Sequence, residues 1–190
     1  MTDRAFYKLG LSPEHSRGKA IRLKTHALKG FSSLAFNNGQ TVSAVPSQVE
    51  LILPDECRND FDVVVSALGW RIVSKRLATR IAKVADADFE PVPIVLKDSS
   101  GNAVRTDFVV LNALRLIDAL SLRKSVLSPV TIGTFHAVLK LVLVGLNVPR
   151  DVHLFRVIGC QNALLIDDFV KAAIESGPHE GLEFIPVECE

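Results

Sequence analysis

The sequence predicts an α+β fold, a mostly antiparallel sheet of short strands with two similar helices packed on it. Three observations predict it. A unit occurs twice: Ile72-Val73-Ser74 leads into Leu77 and Ile81 and exits through Phe89-Glu90-Pro91-Val92. Leu165-Ile166-Asp167 leads into Val170 and Ile174 and exits through Phe184-Ile185-Pro186-Val187. Each copy reads as strand, capped helix, strand, so an internal strand-helix-strand repeat is possible. The other apolar runs are short and bounded by turn residues, as strands are. No Gly/Ser-rich linker divides the chain.

The elements follow in order. Residues 1–45 form an N-terminal arm or extra strands, with Arg17, Lys19, Arg22, Lys24 and Lys29 spread along a solvated leader. Residues 46–190 form the main α+β domain. Asn37-Asn38-Gly39 is a turn, because Asn and Gly accept positive φ. Val49 to Leu53 is a strand ended by Pro54. Asp62 to Val65 is either a strand or the last turn of a helix. Trp70, the single tryptophan, packs at the entrance to the first unit. Ser74 caps a helix to about Val84, its side chain accepting from a first-turn amide. Leu77, Ile81 and Val84 share its inner face.

Pro93 to Leu96 and Thr106 to Leu111 pair as strands across the Asp98-Ser99-Ser100-Gly101 loop. Asn112 to Leu120 suits a helix or a continued strand. Ser128-Pro129 breaks the chain. Ala137 to Val144 reads as a strand buried on both faces. Leu154 to Ile158 is another strand. Asp167 caps the second helix, with Val170, Ala173 and Ile174 inward. Gly177-Pro178 ends it, the glycine supplying a left-handed cap. Phe184 to Val187 closes the sheet.

The 190 residues fit one domain or two small lobes sharing a core. Apolar residues make up 48%, enough for a real core. Lys and Arg number 22 against 21 Asp and Glu, a net charge of +1. That balance argues against nucleic acid as the main partner, since phosphate binding usually leaves a basic excess. Cys57, Cys160 and Cys189 are odd in number and make no Cys-x-x-Cys, so neither a disulfide framework nor a zinc knuckle is indicated. The apolar stretch 137–146 contains Lys140 and falls short of the ~20 residues that a membrane helix needs. The N-terminus has no apolar signal core. The chain is therefore expected in the cytoplasm, with no membrane partner.

No phosphate-binding loop, nucleophile elbow or dinucleotide fingerprint is present. His15, His26, His136, His153 and His179 are scattered, and none lies four residues from another. Neither a metal nor a cofactor is expected. Cys160 follows His153 by seven residues, about 23 Å in a strand, so the pair meets only if the chain folds back. Cys160 reads as a small residue at a strand-to-turn junction. Asp167 and Asp168 do not share a helix face. Asp118 sits inside an apolar run, as a turn or cap residue or as a buried acid paired with Arg115 or Arg123. No catalytic residue is assigned.

Two blocks read together carry a resemblance. One is Asp107-Phe108-Val109-Val110-Leu111-Asn112, then Asp118-Ala119-Leu120, then Leu122-Arg123-Lys124-Ser125. The other is His153-Leu154-Phe155-Arg156, Leu165-Ile166-Asp167-Asp168, Lys171 to Glu175, and Glu180-Gly181 through Phe184-Ile185-Pro186-Val187. With Gly69-Trp70-Arg71-Ile72-Val73-Ser74, they resemble the bacterial polymorphic-toxin immunity protein family named after a Myxococcus representative, formerly a domain of unknown function. The resemblance spans roughly residues 60–188. Asp167 stands where many relatives have Ser, and either residue caps a helix.

The resemblance implies an immunity protein, or antitoxin, that binds and sterically neutralises a cognate secreted toxin encoded by a neighbouring gene. Delivery of that toxin would be by type VI or contact-dependent secretion. It transfers no catalytic residues, and the toxin-binding residues and oligomeric state are left open. The alternatives are a general protein–protein interaction module, or a small enzyme that reverses the toxin's modification. Cys160, His153 and Asp118 are the plausible recruits for that enzyme.

Overall fold

The computed structural model describes residues 4–12, 35–42, 49–52, 61–65, 70–132 and 135–190. Pro54, Cys57, His15, His26 and the basic positions between 17 and 29 lie outside the described residues. Thirteen strands and two α-helices are found among the described residues. The α+β class and the two similar helices are as expected. The strands divide into two main sheets and a separate hairpin.

The first sheet has the order β2-β5-β6-β4-β3. Its strands are β2 (Val49–Ile52), β3 (Val63–Val65), β4 (Arg71–Ser74), β5 (Phe89–Lys97) and β6 (Ala103–Ala113). The second has β1 (Phe6–Leu11), β7 (Leu116–Ile117), β10 (Val142–Leu143), β11 (Leu154–Val157), β12 (Cys160–Asp167) and β13 (Leu182–Cys189). Its order is β10-β13-β1-β12-β11-β7. The hairpin pairs β8 (Val126–Ile132) with β9 (Phe135–Lys140).

The two sheets share a pairing plan. In the first, β5 lies parallel to β2 and antiparallel to β6, while β4 is antiparallel to both β6 and β3. In the second, β13 lies parallel to β10 and antiparallel to β1, while β12 is antiparallel to both β1 and β11. A helix leaves the matching strand each time, α1 (Lys75–Ala85) after β4 and α2 (Asp168–Glu175) after β12. β1 thus occupies, from the start of the chain, the place that β6 occupies in the first sheet.

The Phe-x-Pro exits now have a physical reason. β2 pairs with β5 only from Ile94 onward, and β10 pairs with β13 only at Glu188 and Cys189. Pro91 and Pro186 each precede the start of that outer partner. Among the described residues one strand edge is unpaired there, where a missing N–H is tolerated.

Both helix caps form. The Leu77 amide donates to Ser74 Oγ at 3.3 Å, and the Val170 amide to Asp167 Oδ1 at 3.1 Å. α1 buries Leu77, Ala78, Ile81 and Ala85, and α2 buries Val170 and Ile174. Val84 and Ala173 are only half-buried. These helix faces join Leu9, Val73, Val109, Leu164 and Ile166 in one cluster, so the central core is common to both sheets and both helices. Trp70 packs as expected. It is fully buried in a second cluster, edge-on to Phe36 with ring centroids 4.8 Å apart. A third cluster, with Phe6, Phe155 and Leu165, covers the other face of the second sheet.

Of the two readings of 62–65, the strand holds, as β3 directly after Asp62. Several expectations are corrected. Ser128-Pro129 does not break the chain but lies inside β8, which among the described residues pairs with β9 alone, and an edge strand tolerates proline. The stretch 137–144 is not one strand buried on both faces. It divides between β9 and β10, and Leu139 is 72% exposed. Gly177 does not take the left-handed cap; the positive-φ glycines among the described residues are Gly39, Gly101, Gly159 and Gly181. A Cβ at Gly177 would sit 3.1 Å from the Arg80 guanidinium carbon. Arg80 donates there to the Ile174 and Pro178 carbonyls, closing the end of α2 from α1.

Buried carboxylates fix the halves in register. Asp62, before β3, accepts from Ser74 Oγ, from the Arg76 guanidinium and from the Glu180 amide ahead of β13. Asp88, before β5, accepts from Arg115 and from the His153 and Leu154 amides at the start of β11. Burial works against ionising Asp62. The bonds from Arg76, Ser74 and the Glu180 amide outweigh it, and its carboxyl titrates below the usual range. Such a group stabilises the fold fully above its unfolded value near ~4 and loses that contribution as pH falls through the lower folded value. Asp62→Asn loses the charge-assisted bonds to Ser74, Arg76 and the Glu180 amide and should cost about 1–2 kcal/mol at pH 7. In urea titrations, the gap to wild type should shrink steadily below about pH 4. A gap that stays constant to pH 2.5 would contradict this role.

Candidate interaction surface

His153 and Cys160 lie at opposite ends of the β11–β12 hairpin. Leu154 pairs with Ile166 at one end and Val157 with Cys160 at the other. The His153 Nδ1 sits 2.7 Å from Asp167 Oδ2, and Arg4 reaches the same oxygen at 2.9 Å. Asp167 therefore caps α2 while holding two basic groups, and Phe169 lies edge-on to the His153 ring at 5.5 Å.

Cys160 starts β12 after the turn at Gly159, as expected, and is 3% exposed. Burial pushes its thiol above the ordinary value, which disfavours the thiolate needed for attack. Asp118 is exposed and pairs with neither Arg115 nor Arg123. Arg115 is taken by Asp88 and Arg123 by Glu190, while the Asp118 carbonyl accepts from Asn147. The three recruits are thus not brought together. Among the described residues, no three of His, Cys, Asp and Glu gather as metal ligands.

The surface offers a different feature. Seven large apolar side chains are well exposed among the described residues, and Leu122, Val126, Leu139 and Leu146 fall within 122–146. Leu122 is 76% exposed and Leu146 94%. The segments that carry them are tied to one another. The Ser121 amide donates to the Val142 carbonyl, Ser125 Oγ bonds the Val142 backbone, and Val126 pairs with Lys140. Leu146 rides the 3₁₀ turn Gly145–Asn147, directly after β10.

Charge frames these side chains. Glu190 accepts from Ser121 Oγ and pairs with Arg123 at 2.7 Å and Lys124 at 3.1 Å. Lys140 pairs with Glu188 at 2.9 Å. The Ser121 bond, then those from Arg123 and Lys124, bring the Glu190 carboxyl down to about 2. The loop 121–125 is thereby anchored to the end of β13 at every ordinary pH. Exposed apolar side chains interleaved with charged ones are common on protein-binding faces.

A family model described as an immunity protein family, Imm11, matches residues 6–189, nearly the whole chain. The chain belongs to the Imm11 family. No curated protein matches it. The family's role in immunity fits a protein whose conspicuous exposed feature is apolar surface. In this Imm11 protein, sequence reasoning missed that surface, because Leu139 and Leu146 sit in an apolar run that reads as core and Leu122 stands alone between Ser121 and Arg123. The one available signal was the interleaving of Arg123, Lys124 and Lys140 with these leucines.

The thiol environment yields a test. In the native protein, N-ethylmaleimide at pH 7 should modify the exposed Cys189 while Cys160 reacts only after unfolding. Peptide mass mapping reads both sites. Fast native labelling of Cys160 would reopen it as a nucleophile.

Proposed function

We propose that this immunity protein neutralises one cognate toxin domain by tight one-to-one binding that covers the toxin's working cleft. The observation that carries the reading is the family match across residues 6–189. The exposed leucines on the segments around β10 support it. The toxin is encoded by a neighbouring gene and secreted by a type VI or contact-dependent route, and the immunity protein acts in the cytoplasm. No helix among the described residues is long and apolar enough to cross a membrane. Neither membrane nor nucleic acid takes part. A standard interface of ~800 Å² per partner fits a face of this kind.

Co-expression tests the reading directly. The chain should restore growth to cells producing the neighbouring toxin, and the two should copurify at equal stoichiometry by mass photometry. Growth arrest despite full expression of both proteins would refute it.

Leu122, Leu139 and Leu146 supply the proposed apolar contacts. Replacing all three by Asp should weaken toxin binding by more than about 100-fold, since central apolar anchors dominate interface energy. The melting temperature should stay within a few degrees of wild type, because these side chains are already in water. Unchanged binding by a folded triple variant would move the interface elsewhere. The enzyme reading requires Cys160, His153 and Asp118 to act together. Single alanine variants at Cys160 and Asp118 that still protect would leave it without support.

A further inference from the structure

Arg156 occupies β11, a strand whose four residues are all buried. It is 0% exposed and ranks among the largest fully buried side chains. Its amide donates to the Arg115 carbonyl, and its Nη1 to the Gln161 carbonyl. Among the described residues, its Nε and Nη2 have no partner and no carboxylate pairs with it. A guanidinium keeps its charge at neutral pH, so a buried one left half-unpaired is expensive. Native proteins seldom leave such donors empty.

The two orphaned donors lie on one edge of the planar group. That edge is the fork that engages two oxygens of a single carboxylate, phosphate or sulfate. A second cation faces the same region. Leu154, two residues before Arg156, and Val73, two residues after Arg71, both belong to the core between the sheets. Strand alternation therefore aims both arginines inward from opposite sheets. The Arg71 Nε holds the Leu9 carbonyl at 3.2 Å, and its charge is felt at Arg156. Burial lowers the guanidinium of Arg71 to about 10, and burial together with the Arg71 charge brings Arg156 to about 9. Both effects favour an anion between them. The buried Gln161 Oε1 also lacks a partner, and a protonated oxyanion or an accompanying water would supply one.

We propose that the Nε/Nη2 edge of Arg156 binds a small oxyanion between the two sheets, with Arg71 as the second source of positive charge. The occupant is inorganic phosphate or sulfate, or the carboxylate of a small organic acid. All three present paired oxygens at the spacing of the fork. The site is independent of the toxin-binding reading.

The full-length chain, dialysed into a chloride buffer, is melted against rising inorganic phosphate, sulfate or acetate at constant ionic strength. A bound anion should raise the Tm saturably, by roughly 5 °C at a hundredfold excess over Kd. The preferred probe distinguishes a tetrahedral oxyanion from a carboxylate. Arg156→Gln and Arg156→Met should abolish the saturable rise, and Arg71→Gln should weaken the apparent affinity by tenfold or more. Isothermal titration of wild type with the preferred anion should give one site, and it keeps the test open should the variants fold poorly. Overturning results are a rise shared equally by wild type and Arg156→Met, or no heat of binding for any of the three anions. Greater stability of Arg156→Met than wild type in saturating phosphate, sulfate and acetate would also overturn the proposal.

Discussion

α2 is eight residues long, too short to persist on its own hydrogen bonds. It exists because Val170 and Ile174 reach a core that α1 and both sheets also enter. Arg80 extends from α1 to the last carbonyls of α2, binding one helix end to the other helix. The first sheet covers one side of this core and the second sheet the other. Removing the shared core would leave each sheet with one apolar face in water, and no other described element is positioned to cover both. The buried carboxylates Asp62 and Asp88 then act as register pins. Each accepts backbone amides across the junction of the two sheets, so a slip at that junction would strand a buried charge.

What was legible in the sequence was local. Ser74 and Asp167 announced their helices because an N-cap is a contact of three residues' reach. The turn at Asn37 to Gly39 and the hairpin at Asp98 to Gly101 were legible for the same reason. The division into two sheets was not legible. It depends on β1 inserting between β12 and β13, more than 150 residues away, and no periodicity encodes that pairing. Gly177 was misread because its need is tertiary: the crowding comes from Arg80 on another helix, not from its own φ. The exposed leucines and the Arg156 fork were hidden more deeply. A leucine in an apolar run looks alike whether buried or bare, and an arginine inside a strand looks like ordinary surface alternation.

The shared pairing plan separates what the scaffold requires from what is added to it. β2 to β6 with α1 and β10 to β13 with α2 and β1 account for each other strand by strand. The segment between β6 and β10 has no counterpart in the plan. It contains β7, the turn 121–124 and the β8–β9 hairpin. Three of the four exposed apolar side chains near β10, namely Leu122, Val126 and Leu139, lie in it, and Leu146 follows directly after β10. An addition that pairs mainly with itself and the edge of a sheet can change shape without disturbing the central core. Partner choice imposes that requirement on an immunity protein. The fold must stay constant while the surface follows whatever toxin it has to meet, and discrimination rests on contacts that a wrong partner cannot satisfy. Exposed apolar side chains on and beside a self-paired hairpin, with ion pairs near them in sequence, suit that requirement.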